Sequence, residues 1–391
     1  RRLWLYPALL GLVSLPSVGF PQPGGPQSPP TLAQPAVVPL APPGIGFLFT
    51  VNSTGDGDNV TLGAGCDADS NTPGEQCTLR AAIEEANALS SDDTIEFAIP
   101  TTDPGFDPGS GMSTINLTKA LPDLSTPVVI RGPGANRLTV RRNTGGNYGM
   151  FIVTTTGAVT LSGMTINNGV AVSGGGILNV NGATVNVSGC ALTLNSAGRG
   201  GGIANDGTGT VNVDTSTLDG NSATDLGGGI ANRAAGTVSV ANSTLANNTA
   251  MPSGLGGAIG NLDSGDVTVT NSTISGNSAP AGGGIFTFFL DFVGGQTSTV
   301  RVRSSLIAGN TAFDVSGDFS SQGFNWIGNA GNTQRANLFD HGTGFNAATD
   351  QVGTADAPLD PGLDPSGLHD NGGPTKTIAL RCGSRAIDKG T

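Results

Sequence analysis

Charge is scarce in this 391-residue chain: 12% of residues are Asp, Glu, Lys or Arg, against 63 glycines and 24 prolines. That shortage excludes a coiled coil or long-helix protein, which draws heavily on Glu, Lys, Arg, Ala and Leu. The charge that is present is acidic, 29 carboxylates against 17 basic residues for a net −12. Such a surface repels nucleic acid and anionic lipid, so nucleic-acid partners are not expected. Histidine occurs twice, at His341 and His369, and neither has a spaced Cys or His partner for a metal centre. Aromatics are 5% of the chain, and after the N-terminal segment only Tyr148 and Trp326 remain of the Tyr and Trp that stack on sugars. The four cysteines, Cys66, Cys77, Cys190 and Cys382, form no C-x-x-C pair. Cys66 and Cys77 lie 11 apart in a loop rich in Gly, Asp and Asn, which suits a local disulfide in an oxidising compartment. Hydrophobic residues at 37% still allow a buried core, so disorder along the whole chain is excluded.

Long hydrophobic runs are missing too. Arg1 and Arg2 precede an apolar run from Leu3 to Val13, then Ser17-Val18-Gly19 offers small residues, so residues 1–20 read as an export signal. The run is too short for a membrane span and is interrupted by Pro7 and Pro16. No other stretch is apolar enough to cross a bilayer. Residues 21–46 carry nine prolines between Pro21 and Gly44 and read as a stiff, extended linker.

Repetition is what the chain has in abundance. Gly-Gly-Gly-Ile occurs at Gly174–Ile177, Gly200–Ile203, Gly227–Ile230 and Gly282–Ile285, with the variant Gly256-Gly257-Ala258-Ile259, and its isoleucines are spaced 26, 27, 29 and 26. In phase run the alternating segments that begin at Val159, Val185, Val211, Val238, Val267 and Val300. A third ladder is Ile166, Leu192, Leu218, Leu245, Ile274 and Ile307. Three short strands per repeat, without hairpin turns at the right spacing, predict a coil in which each strand pairs in parallel with its equivalent one turn later. Rungs then lie about 4.8 Å apart and equivalent Val, Ile and Leu stack inward as apolar columns. Glycines fit the corners. Asn179, Asn205, Asn232 and Asn261 follow one ladder, and Asn195, Asn221, Asn248, Asn277 and Asn310 follow another. Stacked asparagines of this kind hydrogen-bond along the axis.

Earlier, less regular coils are read at Ile115–Leu117, Val128–Ile130, Leu138–Val140 and Phe151–Val153. The fold class is all-β: a right-handed parallel β-helix of about eight coils, ~40 Å long. Both ends of such a solenoid need covering. Thr78–Leu89 predicts a helix capped by Thr78, its Leu79–Ile83–Ala86 stripe over the first coil and Arg80, Glu84 and Glu85 turned away. Residues 47–110 are thus expected to cap the N-terminal end, residues 111–315 to form the coils, and residues 316–391 to cap the far end.

Catalytic candidates are thin. Asp206 and Arg233 occupy equivalent positions of neighbouring rungs and are expected to stack as an opposite-charge pair; they are the candidates for lyase or hydrolase chemistry. Asp214, Asp219 and Asp225 fall in different phases. Asp56-Gly57-Asp58-Asn59 resembles a short Ca²⁺-binding turn without a closing glutamate, which makes Asp56 and Asp58 the calcium candidates. Phe286, Phe288, Phe289 and Phe292 cluster in the longest repeat, where extra residues bulge, and form a candidate contact patch. Cys190 aligns with Met164 and reads as a buried thiol.

Three motifs carry a family resemblance. Cys77-Thr78-Leu79-Arg80-Ala81-Ala82-Ile83, with Asn87 downstream, resembles the CSLREA motif domain of exported bacterial proteins, departing at Thr78 and Ala81. The Gly-Gly-Gly-Ile rungs, with Asn221-Ser222-Ala223 and Asn277-Ser278-Ala279, are similar to polymorphic outer membrane protein repeats in a pectin-lyase-like β-helix. Asp370–Thr375 and Gly383–Asp388 resemble the choice-of-anchor Q domain, and the closing segment of that domain is not in this sequence. The resemblance implies secretion or display on the cell or outer membrane surface. A structural or adhesin-like module without catalysis is expected. Its expected partners are a cell-envelope or surface component, carbohydrate or the surface of a host or neighbouring cell, and the chain is expected to be monomeric without a cofactor. The alternative is a polysaccharide lyase or hydrolase, because the fold hosts both.

Overall fold

The structure, a computed structural model, describes residues 46–63, 65–89, 91–288, 298–331 and 342–387. Residues 1–20, read above as an export signal, nearly all of the proline-rich stretch, Phe289, Phe292 and His341 lie outside the described residues. The rest forms a right-handed parallel β-helix of about eight turns.

Each coil contributes to three long sheets. On the valine face, Ala158–Ser162, Thr184–Ser188, Thr210–Asp214, Thr237–Ala241, Asp266–Thr270 and Thr299–Arg303 pair in parallel, with Val159, Val185, Val211, Val238, Val267 and Val300 in one register. The leucine face stacks Ile166, Leu192, Leu218, Leu245, Ile274 and Ile307. The isoleucine face stacks Phe151, Ile177, Ile203, Ile230, Ile259 and Ile285. All three expected ladders are therefore real columns, and every member is at most 1% exposed. A fourth, short strip runs from Val170–Ser173 to Thr249–Ala250.

The glycine triples have two separate causes. The first glycine, Gly200 for example, sits at φ +59, where a Cβ is strained. The second is crowded instead: a Cβ on Gly201 would lie 2.3 Å from the Ser222 carbonyl oxygen and 2.6 Å from that of Gly228. The corner is turned where successive coils press backbone on backbone.

Two asparagine ladders run inside. Asn195, Asn221, Asn248, Asn277 and Asn310 are linked Nδ2 to Oδ1 at 2.8–3.0 Å. Asn179, Asn205, Asn232 and Asn261 are linked at 2.9–3.0 Å. A third ladder was not anticipated. The backbone N–H of Cys190, Ser216, Ser243 and Ser272 donates to the hydroxyl of Ser216, Ser243, Ser272 and Ser305 respectively, at 3.1–3.2 Å. Each of these serines also donates to the carbonyl two residues before it.

At the N-terminal end, Leu79–Ala88 is a helix whose cap, Thr78, accepts from the Ala81 N–H. Leu79, Ala82, Ile83 and Ala86 join the core, as the spacing predicts. Arg80 and Glu85 depart from the expectation, being 2% and 1% exposed rather than turned to solvent. The reason is the preceding loop, pinned by the Cys66–Cys77 disulfide, which folds over the opposite side of the helix. The Glu85 carboxylate accepts from the N–H of Gly63 at 2.8 Å, that of Gly65 at 3.1 Å and Asn59 Nδ2 at 2.9 Å.

The far end differs from a simple cap. Coils continue past residue 315: Val315–Ser321, Trp326–Ile327, Gly342–Thr343 and Gln351–Val352 still pair in parallel. Residues 359–387 then turn back along the outside of the leucine face as a hairpin, bridged antiparallel at Leu363–Leu380 and His369–Thr377. Thr217 donates to the Lys376 carbonyl at 2.5 Å, and Thr375 to that of Thr215 at 3.2 Å. Hairpin and face together leave Thr217 3% and Trp326 6% exposed.

Candidate functional site

The expected charged pair of the coils does not form. Asp206 and Arg233 follow Asn205 and Asn232, which are register partners, yet each turns to a different neighbour. Asp206 accepts from the Ser173 hydroxyl and lies 3.7 Å from Arg199. Arg233 pairs with Asp263 at 3.0 Å. A short acid facing along the strip and a long cation reaching to the next rung account for the split, and no acid–base pair is presented on a common groove by these two residues.

The calcium candidates are occupied by the protein's own cations. The Arg80 guanidinium holds Asp56 at 2.7 Å and donates to the carbonyls of Lys119 and Ala120. Asp56 also accepts from the Thr118 N–H and hydroxyl. Lys119 sits 2.6 Å from Asp58, with Arg80 at 3.7 Å, and the hydrogen bond from the Lys119 ammonium holds the Asp58 carboxyl below its usual range. Two cations where a Ca²⁺ would sit make this a clasp between helix, loop and first coil. Among the described residues no three His, Cys, Asp or Glu side chains gather as a metal site.

The phenylalanine patch is corrected in its first member. Phe286 pairs in the isoleucine face between Gly260 and Ser316 and is fully buried. Phe288 is half-buried, its ring centroid 6.4 Å from that of Phe286. Phe286 and Phe288 thus lie on the regular strand Ile285–Phe288. Cys190 is fully buried, as expected, and burial pushes its thiol up to about 11.

What the sequence did not bring together is a groove of about 350 Å³ between the leucine face and the hairpin tip. Its floor includes Met112, Ala135 and Ala191, and Pro374 of the tip walls it. Asp219 and Asp370 both line it, one from each side. The sequence placed Asp219 out of phase with other acids and gave Asp370 no neighbours, because nothing local indicates that residues 359–387 fold back over coils more than 150 positions earlier. The Asp-Asn-Gly-Gly-Pro-Thr segment that resembled a known motif is this tip. A buried acid elsewhere, Asp314, closes the longer asparagine ladder: it accepts from Asn310 N–H at 2.8 Å, Asn310 Nδ2 at 2.7 Å and Asn329 N–H at 2.6 Å. Burial outweighs these bonds and raises its carboxyl to about 6.

No helix among the described residues is long and apolar enough to cross a membrane. Compared with known proteins, the chain matches no family model, no curated protein and no solved structure.

Proposed function

We propose that this chain is a secreted or surface-displayed structural module, a stiff adhesin-like stalk without catalytic activity. One observation carries the reading: rung after rung repeats the same register around internal asparagine and serine ladders. Side chains spent on axial bonding build a rod, and rods present other surfaces at a distance. The Cys66–Cys77 disulfide suits an oxidising compartment. The resemblances to the CSLREA motif, the polymorphic outer membrane protein repeats and the choice-of-anchor Q domain, together with the export-like residues 1–20, point the same way. Asp206 and Arg233, each bound to its own partner, supply no poised acid and base.

Two measurements test this. The full chain is incubated with neutral and acidic polysaccharides, with and without Ca²⁺, and assayed for reducing ends and ultraviolet-absorbing unsaturated product. No turnover above a boiled control is expected; turnover abolished by Asp206→Ala or Asp219→Asn would establish the enzyme instead. Protease treatment of intact producing cells is expected to remove the protein, and full protection would refute display.

A further inference from the structure

The groove under the hairpin tip holds two carboxylates that pair with no cation among the described residues. Ion pairs among the described residues engage Asp56, Asp58, Glu96, Asp206, Asp263, Asp266 and Asp360. Asp219 and Asp370 belong to none of them. Asp219 accepts from Asn247 Nδ2 at 2.8 Å, and Asp370 from the Gly372 N–H of its own turn at 2.9 Å. Besides the two acids the lining combines aliphatic Met112, Ala135, Ala191, Leu368 and Pro374 with threonine side chains such as Thr139 and Thr193. Lys376 also lines the groove, and its ammonium pairs with neither acid.

We propose that this groove receives the side chain of a lysine or arginine presented by an extended segment of a partner protein. Such a side chain is an apolar stem with a cationic head. The groove offers the complement, a largely aliphatic and threonine-lined surface with two carboxylates in its lining. The net charge of −12 draws basic partners toward the molecule. A sugar fits less well, because neither Tyr148 nor Trp326 is in the lining and the apolar part of a ligand site commonly leans on aromatic rings. The inference does not depend on where the protein is displayed; a groove of this chemistry binds the same partner in either setting.

Fluorescence anisotropy with the full-length chain tests it. The probes are a fluorescein-labelled peptide with a single central lysine and the same peptide with norleucine, which keeps the stem and drops the charge. The lysine peptide is expected to bind at least about tenfold more tightly, the factor that one well-placed charge contact supplies. Asp219→Asn and Asp370→Asn should each weaken the lysine peptide several-fold and leave the norleucine peptide unchanged. Ala191→Trp, which fills the groove from an outward position, should abolish binding with an unaltered unfolding midpoint. Equal binding of both peptides, carboxylate variants that bind like the wild type, no lysine-peptide binding at millimolar concentration, or occupation of the groove by a neutral oligosaccharide instead would each overturn the proposal.

Discussion

Replacing Asn221 with alanine tests whether the internal ladders hold the rod together. The Asn221 side chain is fully buried and makes four hydrogen bonds. It accepts from the Asn195 N–H at 3.1 Å and Asn195 Nδ2 at 3.0 Å, and it donates to the Leu192 carbonyl and to Asn248 Oδ1, both at 2.9 Å. Two neighbours survive its loss in part. Asn195 Nδ2 keeps the Ile166 carbonyl, and Asn248 Oδ1 keeps the Asn221 N–H. The Asn195 N–H keeps no side-chain acceptor. Stranding one buried donor costs about 1–3 kcal/mol, and the other three bonds are worth about 0.5–1.5 kcal/mol each. The expected loss is therefore about 2.5–7.5 kcal/mol. Guanidinium unfolding followed by far-ultraviolet circular dichroism measures it, provided the slope is unchanged. Asn181→Ala serves as the control, because Asn181 makes one exposed bond, to the Thr154 carbonyl at 2.9 Å, and should cost under about 1 kcal/mol. Equal losses in the two variants would refute the claim that the ladder is energetically important.

Three further outcomes follow from other positions. The Asp314 carboxyl is raised to about 6 in the folded chain, so its stabilising contribution is full below the ordinary carboxylate range and is lost as pH climbs through about 6. The stability of the wild type relative to Asp314→Asn should fall by on the order of 2–3 kcal/mol between about pH 4 and 7, and a flat difference by denaturant titration would contradict this. Cys190 stands at the head of the serine column with its sulfur 3.5 Å from the Ser188 carbonyl; Cys190→Ser should cost under about 1.5 kcal/mol, and in the native wild type a thiol reagent should label Cys382 alone. Gly201→Ala should destabilise by about 3 kcal/mol or more through backbone overlap. Gly145→Ala, with nothing within 4 Å of the added carbon, should be neutral or slightly stabilising, both variants being compared with the wild type by thermal melting.

Much of the fold was legible because a solenoid writes each contact into the sequence as a spacing. Val185 and Val211 are partners because they are one coil apart, and the same interval locates Asn221 on Asn248. The serine column used identical intervals at Ser216, Ser243, Ser272 and Ser305; it escaped notice because serine is common here and signals neither core nor turn by itself. Contacts outside the period were invisible. Arg80 looked solvent-facing on a helical wheel, since the wheel cannot show a disulfide-pinned loop arriving from the other side. Asp219 and Asp370 line one groove only because the hairpin returns over the leucine face, and hairpin and coil share no repeat.

The ladders also give the rod a one-way grain. In both the serine column and the longer asparagine column, N–H groups of each rung donate to oxygens of the next one toward the C-terminus. The last member must then take hydrogens without passing any on, and both columns finish on a carboxylate: Asp314 beyond Asn310, and Asp350 beyond Ser305 and Asn325. A coil duplicated within such a stack finds donors below and acceptors above. A chain cut between Asn277 and Asn310 would leave its top rung offering hydrogens to nothing. Lengthening by internal duplication is therefore cheap for this architecture, whereas shortening from the C-terminal side requires a new acidic stop.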